Sequence, residues 1–295
     1  MPYLLFIIMM ILIYTRPFRI PAWLISTFGA FIALLCGIVN VYDIAFVWAM
    51  VWDSTLVLVG LIVLTLALER ILFFDFLAHQ ILSFAGTRSF ANGEWSFYCP
   101  TWKLFIFLVL FGAFLSTFLA NDGAILVLTP LMFALFSQQK ETDNNILIVF
   151  LLCMGFISDF AANFFVISNL TNILTASFFG IPFIDFLKFM ALPQAFAILS
   201  SLLVFWLFCG KKLPKTLVLS SHFRRESLSR FGIFFCFSLL ALLPICAALG
   251  AYFKIPICIF VALCAVLALG YGIKLGRIEP LKLLKNSPFS VVPFS

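Results

Sequence analysis

The stretch that decides the fold is Phe118–Leu126, FLANDGAIL, in which an asparagine, an aspartate and a glycine separate two apolar runs. The chain of 295 residues around it is 64% hydrophobic and 10% charged, whereas soluble domains carry roughly 25% charged residues. Repeated apolar runs near or above the roughly 18 residues of a spanning helix predict an all-α polytopic membrane protein, because a β-barrel would show alternation instead. A charged side chain at the centre of such a helix costs about 2.5 to 3.5 kcal/mol. Asp122 therefore needs a partner, water or a function.

Most apolar tracts are read as plain spanning helices, and the residues between them as short connections. Asp43 and Asp53 are expected to flank an aromatic connection at the membrane interface. Residues 69–102 mix charges with bulky apolar side chains, which predicts an amphipathic surface helix followed by a loop, with His79 on its polar face. The predicted plain spans are Met1–Tyr14, Pro21 or Ala22 to Val39, Ser54–Leu68, Ile184–Cys209, Phe231–Ala251 and Ile255–Ile273.

Two further tracts are too long for one crossing and are interrupted by polar residues. The first, 103–136, is broken by Asn121-Asp122-Gly123 and again by Pro130, and at about 1.5 Å per residue it exceeds the hydrocarbon core. It is predicted to be a re-entrant hairpin, with Gly123 permitting the sharp turn at its tip. The second, 146–179, is predicted to cross once as a broken helix. Its interruptions are Asp159, Asn163, Ser168, Asn169, Thr171, Asn172 and Thr175.

The positions of the basic residues support this topology. With a re-entrant hairpin and a single broken crossing, sixteen of the eighteen Lys and Arg residues lie on one side, and only Lys188 and Lys254 lie on the other. The positive-inside rule makes that side the cytoplasm, so the amino terminus faces out and 210–230 is a basic cytoplasmic loop. A hairpin that crossed once would break the sorting for every later loop.

The polar breaks have structural and functional interpretations that the residues leave open. A helix interrupted at the midplane turns backbone groups toward a cavity, where secondary transporters bind substrates and ions. Alternatively, Asn121 and Asp122 cap the following half-helix, and the cluster 168–172 makes helix–helix hydrogen bonds. The chain lacks the Tyr-Asp and Gly-x-Gly-Asp signatures of intramembrane aspartyl proteases, a Walker A loop and any Cys-x-x-Cys pair. We therefore expect a protein that is not an enzyme and has no cofactor or metal.

Three stretches resemble one known family along essentially the whole chain. FLANDGAILVLTP (118–130), GFISDFAANFFVISNLTNILTASFFG (155–180) and DIAFVWAMVW (43–52) are similar to motifs of the arsenite permeases, or arsenical pump membrane proteins, of the ion transporter superfamily. The resemblance implies an inner-membrane carrier that exports arsenite or antimonite in exchange for protons, in some cases with a soluble arsenical-pump ATPase. Asp122 or Asp159 would carry the coupled proton. The substrate- or ion-binding residues it implies are Asn121, Asp122, Gly123, Thr129, Asp159, Ser168, Asn169, Thr171 and Asn172.

The chain departs from the family pattern in two places. After Asp159 the family usually has Asp-Thr-x-Ser-Leu-Pro, whereas this chain has DFAANF (159–164). The family has two inverted repeats; here 1–209 resembles the first and 231–295 only the opening of the second, within a single membrane domain. We therefore expect that a separate chain supplies the missing repeat or that the product is an inactive truncated remnant. A sodium/proton or anion carrier of the same superfamily is the other alternative.

Overall fold

The predicted class, an all-α polytopic membrane protein, is confirmed. A computed structural model describes residues 2–91, 94–136, 144–220, 228–253 and 255–279. Most of these residues are helical, and the strands that occur lie outside the long apolar tracts. The α-helices are α1 (Pro2–Thr15), α2 (Ala22–Leu35), α3 (Val41–Arg70), α4 (Phe73–Ala85), α5 (Thr101–Phe136), α6 (Asn144–Phe160), α7 (Leu170–Phe179), α8 (Phe183–Cys209), α9 (Arg230–Phe253) and α10 (Ile257–Lys274).

Helix length separates candidate spans from shorter segments. In the described part of the chain, five helices are long and apolar enough to cross a membrane, and they belong to α3, α5, α8, α9 and α10. Helices α1 and α2 have 14 residues each. At about 1.5 Å per residue each is about 21 Å long, short of the roughly 30 Å hydrocarbon core. Crossing by α1 and α2 therefore stays a prediction.

The predicted aromatic connection before the third span is helical instead. Asn40 begins α3 with a capping box, in which its N–H donates to the Asp43 carboxylate at 2.8 Å. Because this cap starts the helix early, Asp43, Trp48 and Asp53 all lie on the 30-residue helix α3. The aromatic residues were a poor indicator of a connection, because a capped helix accommodates them without strain.

A small antiparallel sheet replaces the loop predicted after α4. Helix α4 is separate, as expected, and buries one apolar face. The chain then forms β1 (Thr87–Ala91) and β2 (Glu94–Pro100), and β2 also pairs with β3 (Thr216–Ser220) in the order β1-β2-β3. Part of the predicted basic loop is thus a strand. Strand β3 was not predicted because its pairing with β2 joins segments far apart in sequence.

The pairing of β2 with β3 brings the two polar connections together. Cys99 lies opposite Leu217, and the Thr101 N–H donates to the Lys215 carbonyl at 3.0 Å. The connection before α5 and the connection after α8 therefore lie on the same side of the molecule. This agrees with the topology inferred from the basic residues.

Helix α10 packs along α3 and is anchored to it by a carboxylate. Asp53 on α3 accepts hydrogen bonds from the N–H groups of Ile257, at 3.3 Å, and Cys258, at 2.9 Å. These donors lie at the first turn of α10, where free N–H groups and the helix dipole favour an anion. Further along, Gly60 allows close approach, because an added Cβ would lie 2.8 Å from Val261 Cγ1. Asp53 thus has a structural partner on α10, and its position at the membrane interface stays a prediction.

Candidate functional site

Helix α5 reverses direction at one residue. Ala120, with φ 62° and ψ 164°, separates a first arm, 101–119, from a second arm, 121–136. The rings of Phe105 on the first arm and Phe136 on the second both contact Phe150, with centroids 6.2 Å and 4.6 Å away. Halfway along, a Cβ added at Gly112 would lie 3.5 Å from Leu128 Cδ1. The two arms therefore fold back on each other as a hairpin; its entry and exit on one membrane face stay a prediction.

The residue that makes the turn is not the one predicted. Gly123 was expected to supply the unusual backbone conformation, but the positive φ belongs to Ala120. A non-glycine residue in this region costs about 1 to 3 kcal/mol. Gly123 instead permits close packing, because a Cβ there would lie 2.8 Å from Thr65 Oγ1 on α3. The requirement at position 123 is for space, because packing against α3 leaves no room for a side chain.

The second tract is interrupted next to the hairpin tip. Helix α6 ends at Phe160 and α7 begins at Leu170, with a 3-10 turn, Val166–Ser168, between them. The buried amide of Gln194 on α8 satisfies this stretch: its Nε2 donates to the Phe160 carbonyl at 2.7 Å, and its Oε1 accepts from the Asn163 N–H at 3.0 Å. Backbone without helical partners can lie at membrane depth only when protein or water satisfies it. Gln194 supplies part of that satisfaction.

Ser168 joins the two broken segments directly. Its hydroxyl donates to the Thr117 carbonyl at 2.6 Å and accepts from the Phe165 N–H at 3.3 Å. Thr117 in turn donates to the Ala161 carbonyl at 3.4 Å, as well as to its own helix. These contacts hold the break in 161–169 against the last turn of the first arm. Ser168 therefore has a positioning role in the structure.

Asn121, Asp122 and Asp159 meet where the two breaks face each other. The Asn121 amide donates to Asp159 Oδ1 at 3.0 Å. Asp122 is half-buried and lies close enough to Asp159 for the two charges to interact, and Asp159 itself is exposed. Two carboxylates and an amide thus offer both acceptors and a donor to a small polar molecule. We call these three residues the tip cluster.

The other predicted site residues are engaged locally or lie farther away. Asn169 is the N-cap of α7 and accepts from the N–H and the hydroxyl of Thr171, at 3.0 Å and 2.9 Å. Asn172 donates to the Ala162 carbonyl at 3.0 Å. Thr129 is exposed and lies about 9 Å along the second arm from Gly123, at about 1.5 Å per residue. Asn169 thus caps α7 and Asn172 bonds across the break, and binding by Asn169, Thr171, Asn172 and Thr129 stays a prediction.

Sequence reasoning missed Gln194, Thr117 and Thr65. Gln194 is a single amide in an otherwise apolar span beside Pro193, and this isolation is a usable signal because a buried amide in lipid needs a partner. Thr65 is a hydroxyl among apolar residues of α3, and it is fully buried. Thr117 gave no signal, because a threonine that bonds to its own helix is ordinary. Each lies against residues that are distant in sequence.

A cavity of about 490 Å³ lies beside the second arm. Val127, Pro130 and Leu131 form one wall. The rest of the lining includes four charged residues from α3, α4 and the chain after α10: Glu69, Arg70, Asp75 and Arg277. Arg277 also donates to the Ile71 carbonyl at 2.7 Å. Within the described ranges there is no group of three or more His, Cys, Asp or Glu residues that could hold a metal ion.

Known proteins match this chain along its whole length. The family "Arsenical pump membrane protein" matches residues 1–295. A protein of that name from Escherichia coli is 30% identical over 302 residues, covering 99% of this chain and 65% of the relative. A namesake from Yersinia enterocolitica is 28% identical, with 99% of this chain and 65% of the relative covered. One from Escherichia coli K12 is 31% identical over 211 residues, covering 72% of this chain and 46% of the relative.

The chain thus spans about 65% of the length of the two longer matches. The match, the five long apolar helices and the small charged fraction agree with a multi-pass protein of the inner membrane. The hairpin, the second break and the tip cluster all lie within the matched residues. The chain belongs to the arsenical pump membrane protein family.

Proposed function

We propose that this chain binds trivalent arsenic or antimony hydroxides at the tip cluster and takes part in their export from the cytoplasm in exchange for protons. The observation that carries the proposal is the Asn121–Asp159 hydrogen bond, which joins the breaks of two interrupted segments in a member of an arsenical pump family. Interrupted helices that meet inside a membrane protein are characteristic of substrate sites in secondary transporters.

The chemistry of the tip cluster suits such a cargo. A neutral trihydroxide offers O–H donors and oxygen acceptors, which match the carboxylates of Asp122 and Asp159 and the amide of Asn121. It carries no net charge, so its binding needs no neighbouring cation. A carboxylate can take up and release a proton, as coupling to a proton gradient requires. Either aspartate can therefore exchange a proton for cargo.

We propose that the cavity beside the second arm is the entrance of a route to the tip cluster. Its walls include Val127, which lies about 6 Å along the arm from Gly123 at about 1.5 Å per residue. Its charged lining, with Glu69, Asp75 and Arg277, suits water rather than lipid. We propose that cargo from the cytoplasm enters here. The soluble ATPase implied by the resemblance would be an additional partner and is not needed for this route.

The proposal is tested by transport in everted membrane vesicles loaded to carry a proton gradient. Asp122→Asn is expected to abolish proton-coupled uptake of arsenite while the protein still inserts in normal amount, because the amide keeps the shape of the side chain but cannot accept a proton. Undiminished uptake by Asp122→Asn would refute the coupling role.

Asp185→Asn is the matched control. Asp185 lies at the start of α8, where its carboxylate is 3.8 Å from Lys188 and both side chains are more than half exposed. An exposed pair of this kind contributes little to stability. Uptake should therefore be retained in Asp185→Asn. If both variants lose uptake, the effect on Asp122 is not specific to the tip cluster, and the proposal fails.

A further inference from the structure

The hydroxyl of Thr65 departs from a pattern that several other helical hydroxyls follow. A serine or threonine inside a helix commonly donates to the carbonyl four residues earlier. Thr65 is 0% exposed, yet its Oγ1 has no hydrogen-bond partner among the described residues. The residues that do make the i−4 bond are Thr15, Ser26, Thr27, Thr55, Ser83, Ser116 and Thr117.

Thr65 faces the hairpin tip. Its Oγ1 would lie 2.8 Å from a Cβ built at Gly123, so the hydroxyl approaches the first turn of the second arm. Asp122 directly precedes Gly123, and Asn121 bonds to Asp159. A third element, α3, therefore reaches the same turn as the tip cluster. The residue at 123 must be small for the hydroxyl to come this close.

A buried hydroxyl without a hydrogen-bond partner is unfavourable. A ligand bound next to Thr65 would supply the missing partner. A hydroxyl can rotate and both donate and accept, which is what a polyhydroxylated solute requires. We propose that Thr65 is a further cargo-binding residue, whose hydroxyl bonds to a small neutral polyhydroxylated solute held at the tip cluster. This inference rests on the proposed function, and it adds a residue from outside the two interrupted segments.

The test is equilibrium binding of arsenite to the purified full chain in lipid nanodiscs, measured by calorimetry. Thr65→Val, which keeps the shape and removes the hydroxyl, is expected to weaken binding about tenfold, or about 1.4 kcal/mol, as one hydrogen bond would. Thr65→Ser should retain binding. Thr55→Val is the matched control in the same helix, because the Thr55 hydroxyl is already bonded to the Val51 carbonyl at 3.1 Å.

Thermal unfolding without arsenite gives a second, ligand-free readout. Thr65→Val should leave the unfolding midpoint unchanged or raise it, because it removes an unpaired buried polar group. A clearly lowered midpoint would show that the hydroxyl serves the fold and would overturn the inference. Binding by Thr65→Val at wild-type strength would overturn it as well. Failure of the wild-type chain to bind arsenite would instead overturn the proposed function itself.

Discussion

Replacement of Gln194 by leucine is expected to open the break between α6 and α7. The Gln194 side chain is 2% exposed, and its amide both donates to the Phe160 carbonyl and accepts from the Asn163 N–H. Leucine keeps much of the volume and supplies neither group. The variant therefore leaves one part-buried carbonyl and one part-buried N–H without their partner.

The magnitude follows from the two lost bonds. An unsatisfied buried polar group costs about 1 to 3 kcal/mol, so the two together destabilise the closed break by about 2 to 6 kcal/mol. Water that enters the tip region would reduce this to the lower end. At about 2 kcal/mol, the equilibrium for opening shifts about thirtyfold, since about 1.4 kcal/mol is tenfold.

Hydrogen exchange read by mass spectrometry on nanodisc-embedded protein measures this shift. Peptides that contain 161–169 should lose protection by about thirtyfold or more in Gln194→Leu, while peptides from α10 keep theirs. The control is Ser200→Ala on the same helix, because Ser200 bonds only to the nearby Ala197 carbonyl at 3.0 Å. Equal protection of 161–169 in wild type and Gln194→Leu would refute the assignment of Gln194 as the support of the break.

Three further predictions concern the turn, the α3–α10 anchor and α4. Ala120→Gly should raise the free energy of unfolding by about 1 kcal/mol, because glycine relieves the strain of the positive φ but costs some chain entropy. A decrease measured by denaturant titration would show that Ala120 is not strained. Asp53→Ala should lower it by about 1 to 3 kcal/mol and speed exchange at the Ile257 and Cys258 amides, while Asp53→Asn should lower it less. Burial, with a smaller contribution from Arg88, lowers the pKa of His79 below 6.5. Below about pH 6.5 the unfolded chain then binds more protons than the folded chain, so stability should fall as the pH drops through this value. His79→Gln should flatten this part of the plot of unfolding midpoint against pH, and an unchanged plot would contradict the role of His79.

The existence of both breaks could be read from the sequence, because polar residues in overlong apolar tracts have few physical explanations. The position of the reversal could not. Glycine at 123 has the better intrinsic preference for a positive φ, yet the close approach of Thr65 requires glycine there for space, and the turn falls on Ala120. Packing against α3, some sixty positions away in sequence, therefore outweighed the local backbone preference for a turn at Gly123. Composition gives no information about such a contact.

The partners of the groups that support the breaks were beyond sequence reasoning. Gln194 bonds to residues 31 and 34 positions earlier. Strand β3 pairs with β2 across the whole hairpin, broken helix and α8. Neither pairing leaves a periodic pattern in the chain, because partners are chosen by the assembled fold. Family motifs likewise indicated which residues gather at the tip, but not that Asn169 and Asn172 are occupied by local bonds.

The strand pairing between the two polar connections has a practical consequence. It closes residues 101–215 into a ring whose ends, Thr101 and Lys215, are joined by a backbone hydrogen bond. Thr101 is also the first residue of the hairpin. A displacement of the first arm along its axis would therefore also displace Lys215. Lys215 is exposed. A fluorescent dye attached to its amine would therefore report from the aqueous phase on a displacement that takes place within the bilayer.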